Sequence, residues 1–285
     1  MDLQTRIVFI GPGVMAEAMI RGLLHKKSTV PENIIVSGPR EERVRELQER
    51  FGVTPLVDNV TAARQGDVIV LSVKPQTLLG KVLAELQGNI PKHALVLSIV
   101  AGVPIARIAA GLGHDIIVRA MPNTPGQIGQ GITVWTASPT VTEEHKAVAR
   151  EILQAMGEEI YMNDEDFLDM ATALSGTGPA YVFLFMEALV DAGVHMGFPR
   201  RIAEKLVVQT VLGSAAYYKR VQGQVHLAHL RNQVTSPAGT TAAALYYLEK
   251  AGFRTAISRA VWAAYLRSKE LGQTGQPSPP GDALK

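Results

Sequence analysis

The sequence predicts an α/β domain built on a doubly wound parallel sheet, followed by an all-α domain. Short Val- and Ile-rich runs alternate with amphipathic stretches of helical length as far as residue 161, and the period-2 signal then stops. Long helical segments punctuated by Gly and Pro occupy most of the remaining chain. At 285 residues the chain is long enough for two cores. The boundaries read as 1–164 for the sheet domain, 165–272 for the helical domain and 273–285 for a Pro/Gly/Ser-rich tail expected to be disordered.

Strands are expected at 6–10, 33–37, 67–71, 94–98, 115–119, 131–135 and 158–161. Helices at 14–25, 41–51 and 76–86 fill the gaps between the first four, the last with Pro75 at its start, where a missing N–H costs nothing. This alternation is what βαβ units require. Beyond residue 164, helices are expected at 165–174, 180–196, 200–220, 225–231, 240–251 and 253–271.

The stretch AYVFLFMEALVDA, residues 180–192, is apolar nearly all round and reads as a buried helix. A small helical domain cannot cover it alone, so a partner chain in an obligate homodimer is the favoured reading. A membrane span is disfavoured, because Glu187 and Asp191 fall in its middle and each would cost about 3 kcal/mol in a bilayer.

Composition narrows the function classes. With 47% apolar and 19% charged residues the chain is too apolar for intrinsic disorder. There is no cysteine, so redox chemistry must come from a bound cofactor. The net charge of +2 gives neither half enough basic surface for nucleic acid. No metal site is expected: His226 and His229 lie at i, i+3 without a further ligand, which fits surface positions. The N-terminus runs into a strand without a basic stretch and apolar core, so no secretory signal is expected and a cytoplasmic location is the default.

The motif GPGVMA, residues 11–16, follows the first strand at once and opens a helix. Gly11 permits the tight turn, Gly13 lets a pyrophosphate approach the backbone, and Val14, Met15 and Ala16 begin a helix whose free N–H groups and dipole favour phosphate. This is the signature of a Rossmann-type dinucleotide site. The second strand ends in Ser37, Gly38, Pro39 and Arg40 rather than in an acid, which favours NADP over NAD, with Arg40 able to grip a 2′-phosphate bidentately. The plainer alternative is that Arg40 to Arg43 form a solvated helix start. Two further loops fall beyond strand ends: Ser72, Val73, Lys74 and Pro75, and the run MPNTP at 121–125 containing Asn123. Alone each reads as a strand stopped by proline; with the glycine loop they outline one crevice.

In the helical domain, the run SPAGTT, residues 236–241, precedes a helix, gathering backbone N–H groups and hydroxyls of Ser236, Gly239, Thr240 and Thr241 at a positive helix end suited to a carboxylate. An ordinary helix cap is the alternative. A second turn containing Ser175 and Gly176 could admit a ring closely, or could simply join two helices.

These residues resemble the pyrroline-5-carboxylate reductase family, from the first strand to about residue 271. The segments FIGPGVMAEAMI, LSVKPQ, SIVAGV, MPNTP, SGTGPAYVF, TSPAGTT and GFRTAISRAV occur in the family's order. The resemblance implies reduction of Δ1-pyrroline-5-carboxylate to L-proline by NADPH, with NADH as the alternative, as the last step of proline synthesis. It implies a Rossmann domain joined to a helical domain that interlocks two chains, and assembly of dimers into larger, decameric rings. It places the substrate carboxylate at the amides near Gly239 and Thr240, the ring nitrogen at Thr241, and the cofactor at Gly11, Gly13, Met15, Ser37, Asn59, Lys74, Pro75 and Asn123. The chain departs from the family at Ala238, where glycine is usual and where Ala resists positive φ. It also departs at Pro12 and Val14 in the glycine turn and at Gln224, where some relatives carry glutamate. A β-hydroxyacid dehydrogenase or related NADP reductase would need a proton-handling Lys or His in the helical domain; Lys205 and Lys219 stand there outside any motif. A third reading is a non-catalytic NADPH-binding regulator, against which the intact substrate loop argues.

Overall fold

The computed structural model describes residues 5–274. Eight strands among them, β1 (Ile7–Ile10), β2 (Ile34–Ser37), β3 (Thr54–Leu56), β4 (Val68–Leu71), β5 (Leu95–Ser98), β6 (Ile117–Met121), β7 (Gly131–Ala137) and β8 (Gly157–Tyr161), form one sheet in the order β3-β2-β1-β4-β5-β6-β7-β8. Strand order reverses between β1 and β4, whose residues pair in parallel register from Ile7 opposite Val68 to Ile10 opposite Leu71. A reversal of this kind opens a crevice at the carboxyl ends of the strands.

Alternate residues of the buried strands feed two cores, one on each face. Ile7, Phe9, Val68 and Val70 pack with helices α1 (Val14–His25) and α2 (Glu41–Phe51) and, further along the chain, with Ile152 and Leu153. Val8, Ile10, Ile69 and Leu71 pack on the other face with Ala62 and Ala63 of α3 (Asn59–Ala63) and with Leu78, Val82 and Leu86. The segment holding the last three comprises α4 (Pro75–Thr77), a π turn (Leu78–Val82) and α5 (Leu83–Leu86), which together make the helix expected at 76–86. Burying such side chains on both faces supplies the main stabilisation, about 2 kcal/mol for each large one.

The sheet departs from the sequence expectation at two places. β3 is an additional strand: it has three residues with Pro55 in the middle, tolerated because it pairs only with β2 at the sheet edge. β7 runs antiparallel to β6 although all other neighbours are parallel. The connection between them holds only a 3₁₀ turn (Thr124–Ile128), too short for the helical crossover that parallel strands need. Three helices are absent from the expectation: the five-residue α3 between β3 and β4, and α6 (Ile105–Leu112) and α7 (Glu143–Gln154), which make the crossovers after β5 and β7. Thr142 and His145 start α7 with a reciprocal capping box.

Past the sheet the described residues contain only helices and turns. α8 (Asp166–Ala171) passes into a π turn (Thr172–Gly176), then come α9 (Gly178–His195), α10 (Arg200–Val221), α11 (Leu227–Gln233), α12 (Thr240–Lys250) and α13 (Phe253–Thr274). The connection through Ser175 and Gly176 is therefore helical with one residue wedged in, rather than an open turn. The division into compact units also differs from the boundary at 164. The described residues up to Thr177 form one unit with those from Trp262 onward, and residues 178–261 form the other. The tail expected at 273–285 lies mostly outside the described residues, and α13 continues to Thr274.

α9 is not a buried helix within one chain. Val190 and Gly193 are buried, while Phe183 and Leu184 are 63% and 66% exposed. Residues 166–195 are long and apolar enough by composition to cross a membrane, yet Asp191 is ion-paired to Arg200 at 2.7 Å. Both partners of this pair are exposed, and a bilayer interior would penalise each charge.

Candidate active site

The glycine loop sits where strand order reverses and is held from both sides. The Gly11 amide donates to the Ser37 carbonyl at 2.9 Å, at the end of β2. On the other side the Ser72 hydroxyl, just past β4, donates to the Gly11 carbonyl at 2.8 Å and to the Ile10 carbonyl at 3.1 Å. Gly11 has φ +101°, and a Cβ there would lie 2.6 Å from Val73 Cγ1 and 3.0 Å from the Ser72 carbonyl, so only glycine serves. Gly13 is the N-cap of α1 without a side-chain hydrogen bond. The first helical bond runs from the Glu17 amide to the Gly13 carbonyl at 3.0 Å, leaving the amides of Val14, Met15 and Ala16 ahead of it. Val14 is exposed and Met15 half-buried.

Glu17 in the first turn of α1 would oppose an anion, but three arginines hold it. Arg21 and Arg50 meet its Oε1 and Arg43 its Oε2. Burial pushes the Glu17 carboxyl up, and hydrogen bonds with the charges of Arg43 and Arg50 outweigh this and hold it below the ordinary value. Arg43 also donates from Nε to the Pro12 carbonyl at 2.9 Å, so the loop's stiff second residue is tied to α2.

Beside this network Arg40, the N-cap residue of α2, is exposed and makes no ion pair among the described residues. Ser37, expected to share the strand-end donor role with Arg40, is placed differently. Its hydroxyl is buried and donates to Asn59 Oδ1 at 2.8 Å, while Asn59 Nδ2 donates to Glu85 at 3.1 Å. The Ser37 hydroxyl points into the protein, while Arg40 at the same strand end is exposed.

Lys74 is exposed at the N-cap of α4, with Pro75 next to it and the Leu78 amide bonded to its carbonyl at 2.9 Å. Asn123 closes the MPNTP loop: its Oδ1 accepts from the Ile132 amide at 3.0 Å and its carbonyl from the Gly126 amide at 3.0 Å. Ser72, Val73, Lys74, Pro75 and Asn123 thus stand beyond the carboxyl ends of β4 and β6. Ser175 and Gly176 lie in the same compact unit, in the π turn. Ser175 Oγ donates to the Ala171 carbonyl at 3.0 Å, and a Cβ on Gly176 would sit 2.6 Å from Met121 Cε at the end of β6.

In the other unit, residues 236–241 form a turn and a helix start. The Gly239 amide donates to the Ser236 carbonyl at 3.1 Å, Ala238 takes φ +57°, and Gly239 becomes the N-cap of α12 without a side-chain bond. Ala238 therefore adopts the left-handed conformation a glycine would. The first helical bond runs from the Ala243 amide to the Gly239 carbonyl, so the amides of Thr240, Thr241 and Ala242 precede it. Ser236 is exposed and Thr241 half-buried.

His226 turns out to be a helix cap: its Nδ1 accepts from the Ala228 amide at 3.1 Å at the start of α11. Sequence reasoning missed this because a histidine cap has no fixed signature. Among the described residues there is no group of three or more His, Asp or Glu arranged to hold a metal ion.

Residues 165–271 match the protein family described as Pyrroline-5-carboxylate reductase dimerisation, and residues 6–102 match NADP oxidoreductase coenzyme F420-dependent. A pyrroline-5-carboxylate reductase of Synechocystis is 45% identical over 95% of this chain and 100% of its own. The solved pyrroline-5-carboxylate reductase of Coxiella burnetii is 38% identical with a TM-score of 0.84, over 95% of this chain and 100% of the other. The pyrroline carboxylate reductase of Plasmodium falciparum, solved with NADP bound, is 32% identical with a TM-score of 0.86, over 95% and 99%. The glycine loop at the strand reversal, the SPAGTT helix start and this full-length similarity agree: the chain belongs to the pyrroline-5-carboxylate reductase family.

Proposed function

We propose that this enzyme reduces the C=N bond of Δ1-pyrroline-5-carboxylate to L-proline with NADPH. The observation that carries the reading is the N-terminus of α12, three amides without a side-chain cap behind the left-handed turn at Ala238, a receptor shaped for one small carboxylate. The Thr240 amide and its neighbours at the start of α12 would hold that carboxylate, with Gly239, whose own amide is bonded to the Ser236 carbonyl, shaping the turn beneath it. Thr241 Oγ1 would hydrogen-bond the ring nitrogen, fixing which face of the imine is open and steadying its proton.

The residues present fit the dinucleotide. Gly11 at φ +101° lets the loop turn tightly against Ser72 and Val73, and α1 starts without a side-chain cap. Gly11, Gly13, Val14 and Met15 would receive the pyrophosphate, Arg40 the 2′-phosphate, and Ser72, Val73, Lys74, Pro75, Asn59 and Asn123 the remaining edge, with Ser37 fixing Asn59 from beneath. NADH would bind without the Arg40 contact, hence more weakly. When bound, the reduced cofactor supplies the hydride that adds to the imine carbon, C2 of the pyrroline ring and Cδ of the proline formed, while the nitrogen keeps its proton and becomes a secondary amine. A protonated imine is already electrophilic, so this chain's residues chiefly align two rings and exclude water. Ser175 and Gly176, with no side chain at the latter, would admit the ring closely.

The family assignment supports a homo-oligomer, and the finer reading is a homodimer through a helical domain at 165–272, with a sheet domain at 1–164 binding the cofactor. The exposed apolar face of α9 would then be covered by a second chain, and dimers would assemble into a decameric ring. A water-soluble substrate and cofactor suit a cytoplasmic location. Steady-state NADPH oxidation with pyrroline-5-carboxylate, run beside Thr241→Ala, tests the proposal; a variant within about twofold of wild type in kcat/KM removes Thr241 from the mechanism.

A further inference from the structure

Arg119 lies in the middle of β6, 2% exposed, and a guanidinium so deep is costly unless it is fully paired. Nη1 donates to Glu165 Oε1 at 2.8 Å and Nη2 to Asp169 Oδ1 at 3.1 Å. Glu165 Oε1 also accepts from the Ile105 amide at 2.8 Å, and Asp169 Oδ1 from the Ser268 hydroxyl at 2.7 Å. One side chain therefore ties the start of α8, before residues 178–261, to the far part of α13, after them. Two residues on, Met121 meets Gly176 at the end of the π turn. Strand β6 thus grips the α8 segment at two points, Arg119 at its beginning and Met121 at its end, and then leads directly into Asn123.

We infer that Arg119 is a positioning residue for the reduction: its fork sets the register of the Ser175 and Gly176 segment against the loop that carries Asn123. This deepens the proposed function and rests on it. The fork matters because two nitrogens at a fixed spacing meet the two carboxylates, whereas a lysine would have to bridge both from one nitrogen on a differently shaped side chain. The π turn has its own hydrogen bonds, from the Thr177 amide to the Thr172 carbonyl and from Ser175 to Ala171, so it moves as a piece when its anchor is lost.

The test uses the full chain with Arg119→Lys, Asp169→Asn and Ser268→Ala, the last removing a single hydrogen bond so that folding is kept. In Arg119→Lys and Asp169→Asn, kcat is expected to fall about tenfold or more with KM for NADPH within about twofold, as misplacement by a fraction of an ångström does. The primary isotope effect from NADPH deuterated at C4 should rise, and Ser268→Ala should show the same split in weaker form. Amide exchange at residues 171–177 and 121–124 should quicken in all three variants. Lowered melting temperatures with unchanged kcat and isotope effect would overturn the inference and leave Arg119 a stabilising residue alone. Should wild type fail to reduce pyrroline-5-carboxylate, the functional reading fails separately, and unchanged exchange at those two segments would still refute the clasp.

Discussion

Ser72 donates its hydroxyl to the Gly11 carbonyl at 2.8 Å, so the end of β4 fixes the turn that opens α1. The bond spans the strand reversal, and with the Gly11 amide on Ser37 it leaves the loop no freedom to adjust to a new side chain.

Gly11→Ala is therefore expected to abolish cofactor binding, since the methyl would lie 2.6 Å from Val73 at a φ of +101°. Strain there is about 1–3 kcal/mol before the clash is counted. NADPH fluorescence titration checks it, and near-normal affinity would mean the loop is held less tightly than its bonds imply.

Arg40→Ala should weaken NADPH by about tenfold or more and leave NADH nearly unchanged, because the contact proposed for Arg40 is a charge-assisted one to the 2′-phosphate alone. Comparing KM for the two cofactors decides this. Equal losses with both would place Arg40 elsewhere.

Ala238→Gly is expected to stabilise the turn. A left-handed Ala costs about 1 kcal/mol, partly offset by the greater freedom glycine has in the unfolded chain. Ala238→Val should be clearly worse than wild type in both melting temperature and KM for the imine, since a β-branched side chain tolerates φ +57° poorly.

Glu17 carries a pH signature. Its folded value is held below the ordinary 4.5, so the ion pairs to Arg43 and Arg50 contribute stability at neutral pH. That contribution is lost as the pH falls through the folded value. Glu17→Gln should lower the melting temperature by roughly 2 °C at neutral pH, with the gap closing under acid conditions. A gap that persists at low pH would assign the effect to packing.

Much of this was legible in the sequence because the informative signals are contiguous. The buried strands are unbroken Val and Ile runs, and the glycine loop and the SPAGTT run each keep their residues within one short segment. β3 was hidden by its three residues and Pro55, and the direction of β7 by a turn whose length, rather than its composition, forbids a parallel return. The π turn escaped because one wedged residue barely disturbs a helical pattern. The Arg119 cluster joins residues 50 and 99 positions apart, and the Ser37 hydroxyl turns to Asn59 rather than outward. Such partners are chosen by tertiary packing, which no local period records.

In the proposed function, the start of α12 at Thr240 and Thr241 receives the carboxylate of an imine reduced by NADPH. The direct measurement is the stoichiometry of turnover with pyrroline-5-carboxylate as sole acceptor. One L-proline formed for each NADPH oxidised, with the rate collapsing in Thr241→Ala, is the expected result. NADPH oxidation without proline, or none above the blank, would contradict it.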